Sequence, residues 1–220
     1  MDKRNEDDVL FTVTHTLVSS LNDSEEYEHI TQISGEITAE YEDEISALAG
    51  RTSLYIVDYA RAKYECGLTL HDVLDGDLIT YSYAPGLLGR DGDLKSAFED
   101  MLVERILIIH RIEVLPEFRG RRLGIWALYR ILDCFAPNSV LPVIMPYPLQ
   151  FSPVADDSSS ADLRLGDFKI SRSKAFRKIR DYWAQVGFEK AWSRGDEQLW
   201  ILDPTRLHPD RKDVLGEFYK

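Results

Sequence analysis

Val114-Leu115-Pro116-Glu117-Phe118-Arg119-Gly120-Arg121-Arg122-Leu123-Gly124 is the stretch on which the fold of this chain turns. Just upstream, Arg105 to Val114 has a dense apolar centre and reads as a strand, which Pro116 ends. Just downstream, Leu123 to Phe135 reads as a helix, and Pro137 stops it. Its apolar residues cover most of its circumference, so burial on more than one side is expected. A strand, a Gly-punctuated basic turn and a helix aim backbone N–H groups and a helix N-terminus at one spot, which suits an anion and above all a phosphate. Gly120 and Gly124 let backbone approach it closely, and Arg119, Arg121 and Arg122 add charge and bidentate donors. Read alone, the turn fits a solvated connection equally well. A nucleic-acid contact is less supported, because there is one basic turn and no helix-turn-helix pattern.

Working outward, Val140 to Phe151 reads as a strand, but Pro142, Pro146 and Pro148 require it to be bulged, splayed or at an edge. Residues 156–162 read as a serine-rich loop. Ser173 to Val186 reads as a helix with Phe176, Ile179, Trp183 and Val186 on one face, stopped by Gly187. Phe188 to Trp192 and Gln198 to Leu202 read as two short strands about a turn at Arg194-Gly195. Towards the N-terminus, Leu10 to Val18 reads as a strand and residues 22–28 as a polar connection. Ile33 to Ala49 and Thr52 to Ala60 read as a long hairpin turning at Gly50-Arg51. Leu70 to Leu74 reads as a short helix capped by Thr69, residues 84–93 as a loop, and Asp93 to Leu102 as a helix. The fold class is therefore α+β with a mixed sheet, in one domain over residues 1–220. Its parts are an N-terminal half at 1–100 with the hairpin, a segment at 104–202 about the basic turn, and a polar tail at 203–220.

The 220 residues carry 38 acids and 26 bases, a net charge of −12. Residues 5–50 hold 12 of those acids and no Lys or Arg, so the rest of the chain balances at 26 of each sign. A solvated acidic face is the plainer reading, and a rim that draws a cationic amine is the sharper one. Phosphate backbones need positive surfaces, so no nucleic-acid partner is expected. No apolar stretch is long enough to span a membrane, and the charged start lacks the pattern of a secretory signal, so a cytoplasmic protein is expected. Cys66 and Cys134 read as buried free thiols, and the five scattered histidines form no metal-ligand spacing, so no metal is expected.

Two segments carry a family resemblance. The stretch from Val114 to Gly124 resembles motif A of the GNAT acyltransferases, Val-x-Pro-x-x-Arg-Gly-x-Gly-x-Gly. Tyr182-Trp183-Ala184-Gln185-Val186-Gly187-Phe188 resembles their motif B, Tyr-x-x-x-Gly-Phe. Order and spacing over residues 104–202 match as well. The resemblance implies a GNAT-like fold of a mostly antiparallel sheet with splayed strands. It also implies acetyl-CoA as co-substrate and transfer of an acetyl group to a primary amine. The pyrophosphate would lie on Arg119, Gly120, Arg121, Arg122, Leu123 and Gly124, and the pantetheine along Ile112 and Val114. Two positions depart from the pattern. Arg122 stands where the family has its first loop glycine. Trp183 stands where many members carry the tyrosine that protonates the leaving thiolate, with Tyr182 next to it.

Strand alternation places Ile108, His110, Ile112 and Val114 on one face. His110 is the leading general base, with a structural histidine as the plainer reading, and Glu113 is the alternative if a bulge shifts the parity. Tyr182 is the remaining catalytic candidate, and Tyr83 and Tyr147 are further pocket candidates. The basic run Arg172, Lys174, Arg177, Lys178 and Arg180 reads first as a solvated helix face. A homodimer is compatible with all of this, as is a GNAT-fold module without catalysis that binds CoA or a protein.

Overall fold

The computed structural model describes residues 9–18, 27–41, 45–151 and 158–216. Most of the expected polar connection at 22–28, the first two residues of the 156–162 loop and nine of the 12 N-terminal acids lie outside these residues. Three antiparallel strands come first, β1 (Leu10–Val18), β2 (Ile30–Glu40) and β3 (Ser46–Val57). Four short helices follow: α1 (Tyr59–Cys66), α2 (Leu70–Asp75), α3 (Leu78–Tyr81) and α4 (Ala84–Leu87). Then come β4 (Arg105–Val114), α5 (Leu123–Phe135), β5 (Val140–Ile144), α6 (Arg172–Ala184), β6 (Glu189–Arg194), β7 (Glu197–Ile201) and α7 (Arg211–Leu215). The seven strands form one sheet in the order β1-β2-β3-β4-β5-β7-β6, antiparallel throughout except where β4 meets β5.

Both faces of the central strand are covered, which explains its unbroken apolar run. Ile106 and Ile108 pack on one side with Leu70, Leu74, Tyr83 and Leu87 of the short-helix region. Leu107 and Ile109 pack on the other with Ile125, Leu128 and Trp183 of α5 and α6. α5 also contributes Leu123 and Ala127 to a third cluster under β2 and β3, so it is buried on more than one side as its sequence requires.

Several elements differ from the sequence reading, each for a physical reason. The β2–β3 turn lies near residues 41–45, where Tyr41 N–H reaches the Ile45 carbonyl at 3.1 Å, and Gly50 and Arg51 lie inside β3. A Cβ at Gly50 would sit 2.2 Å from the Glu113 carbonyl oxygen, so this glycine serves a close strand approach rather than a turn. β3 ends at Val57 because Asp58 caps α1, its carboxylate accepting the Arg61 N–H. Thr69 and Asp72 close a capping box at the start of α2, and Thr69 is the expected cap. Residues 93–102 form no α-helix. A Leu88–Leu94 bridge and the Lys95 N–H bond to Leu87 hold the chain extended, which leaves room only for a 3-10 run at Ser96–Met101. β5 stops at Ile144, short of Pro146 and Pro148. Pro142 lies in a central strand, not at an edge, because β5 is only five residues long and thinly paired. Cys66 and Cys134 are exposed, not buried, near the ends of α1 and α5. Among the described residues, no helix is long and apolar enough to cross a membrane.

Candidate active site

The site begins where two strands part. β4 and β5 run parallel from Arg105↔Val140 to Ile108↔Val143 and no further. β4 continues six residues to Val114, while β5 ends at Ile144 and the prolines carry the chain away. The opening is a cavity of about 560 Å³ lined by the free end of β4, by 145–150 and 163–170 of the β5–α6 connection, and by α6. Ile112, Val114, Arg119, Gly124, Tyr147, Tyr182 and Trp183 all face it. Gly120, Arg121, Arg122 and Leu123 do not line it, and Leu123 is core.

At the Gly124 end, the turn has a specific construction. Gly120 has φ +82° and Arg122 has φ +56°, a left-handed conformation that a side chain adopts at a cost. The N-cap residue Arg122 makes no side-chain cap bond and no acid sits in the first turn of α5, where the Tyr182 hydroxyl accepts from the Ile125 N–H. Its positive end is therefore open to an anion only beside that hydroxyl. The arginines are engaged elsewhere. Arg119 bonds the Val114 carbonyl at 3.0 Å and the Leu163 carbonyl, and lies over the Phe168 ring at 4.6 Å. Arg122 bonds the Val214 carbonyl at α7. Gly124 is needed for packing, since a Cβ there would lie 2.6 Å from the Tyr182 hydroxyl. That hydroxyl also bonds the Ile125 backbone, and burial pushes Tyr182 up to about 12. Tyr182 thus belongs with α5 and Val114. Four strand residues, about 13 Å, separate Val114 from His110.

At the other end of the free strand, β4 carries a bulge. Leu54 pairs Ile109 and Ser53 pairs Arg111, so His110 is the extra residue. The shift overturns the simple alternation: His110 sits beside Tyr55 and Tyr83, whereas Ile112 and Val114 pack on the α5 side. It also brings Glu113 to the face of His110. Both residues border a second cavity on the opposite side of the sheet.

The two groups are tuned in opposite directions. Burial, aided by Arg111, lowers His110 to about 4, with Asp77 opposing. Burial raises Glu113, with Arg111 and Arg51 opposing, and Arg111 lies 3.5 Å from its carboxylate. Tyr83 is buried, its hydroxyl held protonated by desolvation, and lies 3.5 Å from His110 Nδ1, the outer limit of a hydrogen bond. If Nδ1–H donates to that oxygen, Nε2 keeps its lone pair for a proton. The reverse tautomer makes Nε2 a donor.

The second cavity, about 690 Å³, lies over the face of β1–β4 that the short helices leave open. Thr14, Thr16, Gln32, Ser34, Glu36, Ser53 and Tyr55 form much of its floor. The two cavities share His110, Arg111 and Glu113. A strap joins them too. Asp162 holds Arg51 of the second cavity at 2.7 Å, and the next residue, Leu163, holds Arg119 of the first.

Sequence reasoning missed Tyr55, Asp77, Arg51 and Asp162, because nothing local marks residues that meet only through strand pairing. No known family model matches the chain, and no curated protein matches its sequence.

Proposed function

We propose that the protein is an acetyl-CoA-dependent N-acyltransferase with a GNAT-like fold. The observation that carries this reading is the pair of cavities that meet at the bulge of β4, one of them opened by the parting of β4 from β5. The α5 N-terminus, with the Tyr182 hydroxyl on Ile125 and no acid in its first turn, lies at the far end of that opening. The mostly antiparallel sheet and the parting of β4 from β5 are in keeping with the splayed sheet that the motif resemblance implies. In this reading the diphosphate lies at the start of α5. The pantetheine runs along Ile112 and Val114, with free β4 backbone groups as partners, and the thioester reaches His110. The amine enters from the other face.

The chemistry balances as follows. An ammonium gives one proton to His110 or Glu113, which frees the nitrogen lone pair. Nitrogen attacks the thioester carbon, so a C–N bond forms. The adduct collapses, the C–S bond breaks, and a second proton passes from nitrogen to the departing sulfur, leaving an amide and CoA thiol. Backbone N–H groups of the parted strand suit the developing oxyanion. Tyr182, high in pKa and bound to the α5 entrance, acts in this account by positioning that entrance.

Thiol release from acetyl-CoA with a panel of primary amines tests the reading. Amine-dependent release supports it, and its absence with every amine sinks it. A second reading, a CoA-binding module without catalysis, is favoured by Trp183 at the position of the expected acid and by the commitment of the neighbouring Tyr182 hydroxyl to the Ile125 backbone. Under that reading acetyl-CoA binds and no amine releases thiol.

A further inference from the structure

The second cavity has a charge pattern that narrows its occupant. Its floor is built from short hydroxyl and amide side chains, Thr14 and Thr16 of β1, Gln32 and Ser34 of β2, and Ser53 of β3. They project from one face of an antiparallel sheet, as the register Thr16↔Ser34↔Ser53 requires. Both arginines there are neutralised, Arg51 by Asp162 at 2.7 Å and Arg111 by Glu113 at 3.5 Å. Glu36 lies directly opposite Arg51 in the register, yet has no ion-pair partner among the described residues, because Arg51 turns to Asp162. Arg51 still attracts it across the row, but Glu36 is the floor carboxylate without a direct ion pair. Glu36↔Arg51↔Glu113 is a continuous row across three strands, so Glu36 lies two strand spacings, about 10 Å, from Glu113.

We infer that this open face is the acceptor groove, and that its acceptor is a dicationic amine. One nitrogen is acetylated beside His110 and Glu113, and a second positive charge sits on Glu36 about 10 Å away. The polar floor between them accepts hydrogen-bonding groups and discourages a wholly apolar body. The inference rests on the acyltransfer reading only for which nitrogen reacts; the two-point binding stands by itself.

The test is a series of linear diamines, from ethylenediamine to decamethylenediamine, each paired with the monoamine of equal chain length. With the full chain and saturating acetyl-CoA, kcat/KM for thiol release should peak where the nitrogens are about 10 Å apart. The peak should exceed the matched monoamine by roughly fivefold, the scale of one exposed ion pair, and shrink with added salt. Glu36→Gln should collapse the diamine rate onto that of the monoamine. Diamines no better than monoamines, or a peak that survives Glu36→Gln, would overturn the assignment and leave acyl transfer standing. If no amine releases thiol, calorimetric titration of the same series into the CoA-loaded protein decides. A spacing-dependent affinity lost in Glu36→Gln keeps the groove while the enzyme reading fails; no spacing dependence sinks both.

Discussion

The two halves of β4 are one strand put to two uses. From Ile106 to Ile109 every side chain is at 0% exposure, backbone pairs with β3, and as far as Ile108 also with β5. From His110 to Val114 every residue is only half-buried, the register slips by one, and the β5 side is unpaired. Backbone donors with no strand partner must meet water or a ligand. The closed half therefore holds the open half in a geometry it would not keep alone, and polar groups that would be costly in the first half are usable in the second.

The contrast can be broken from either end. The largest effect is expected from truncating the closed half. Ile108→Ala should cost about 2–5 kcal/mol of unfolding free energy by denaturant titration, whereas the half-buried Ile112→Ala should cost about 1 kcal/mol. Equal losses would erase the distinction. In the open half, removing the base should slow turnover by about a hundredfold at saturating acetyl-CoA and shift the melting temperature far less than Ile108→Ala does. The pH profile says which residue is responsible. If His110 is the base, the rate rises through about pH 4 and His110→Ala removes that limb. If Glu113 is the base, the limb lies above the ordinary carboxylate range and Glu113→Gln removes it.

Stability should carry opposite signatures from the same pair. The lowered His110 contributes stability above its ordinary value of 6.5, which is lost as pH falls towards about 4. The raised Glu113 contributes stability below its ordinary 4.5, which is lost as pH rises through its higher folded value. His110→Ala should flatten the acid-side loss, and Glu113→Gln should steepen it, in melting curves across that range.

A smaller effect concerns the α5 entrance. Gly124→Ala should destabilise the wild-type chain because of the Tyr182 hydroxyl, but stabilise Tyr182→Phe by up to about 1 kcal/mol, the helix-propensity gain. The smallest is expected at the strap. Asp162→Asn breaks an exposed ion pair with Arg51 and should cost at most about 1 kcal/mol.

How much of this was legible beforehand divides along the same line. Leu123–Phe135 was readable to the residue because its periodicity and Pro137 are local signals. The prolines after Val140 announced a strand that could not stay paired, and β5 leaves β4 there. His110 and Glu113 were legible as residues, but the bulge that brings them together was legible only as a condition, since it depends on what Ser53 and Leu54 pair with. Gly50 misled because a glycine in a strand and a glycine in a turn look alike until the neighbouring carbonyl is seen. The open groove was invisible, because Thr14, Ser34 and Ser53 are ordinary solvent-facing residues in sequence and become neighbours only through the register.

The central claim, that the gap between β4 and β5 grips acetyl-CoA with its diphosphate at the start of α5, is tested most directly by titration calorimetry with acetyl-CoA. The account predicts one site per chain with a Kd on the order of 10 µM, lost in a folded Gly124→Asp variant and retained in His110→Ala. No binding to the wild-type chain, or undiminished binding to Gly124→Asp, would contradict it.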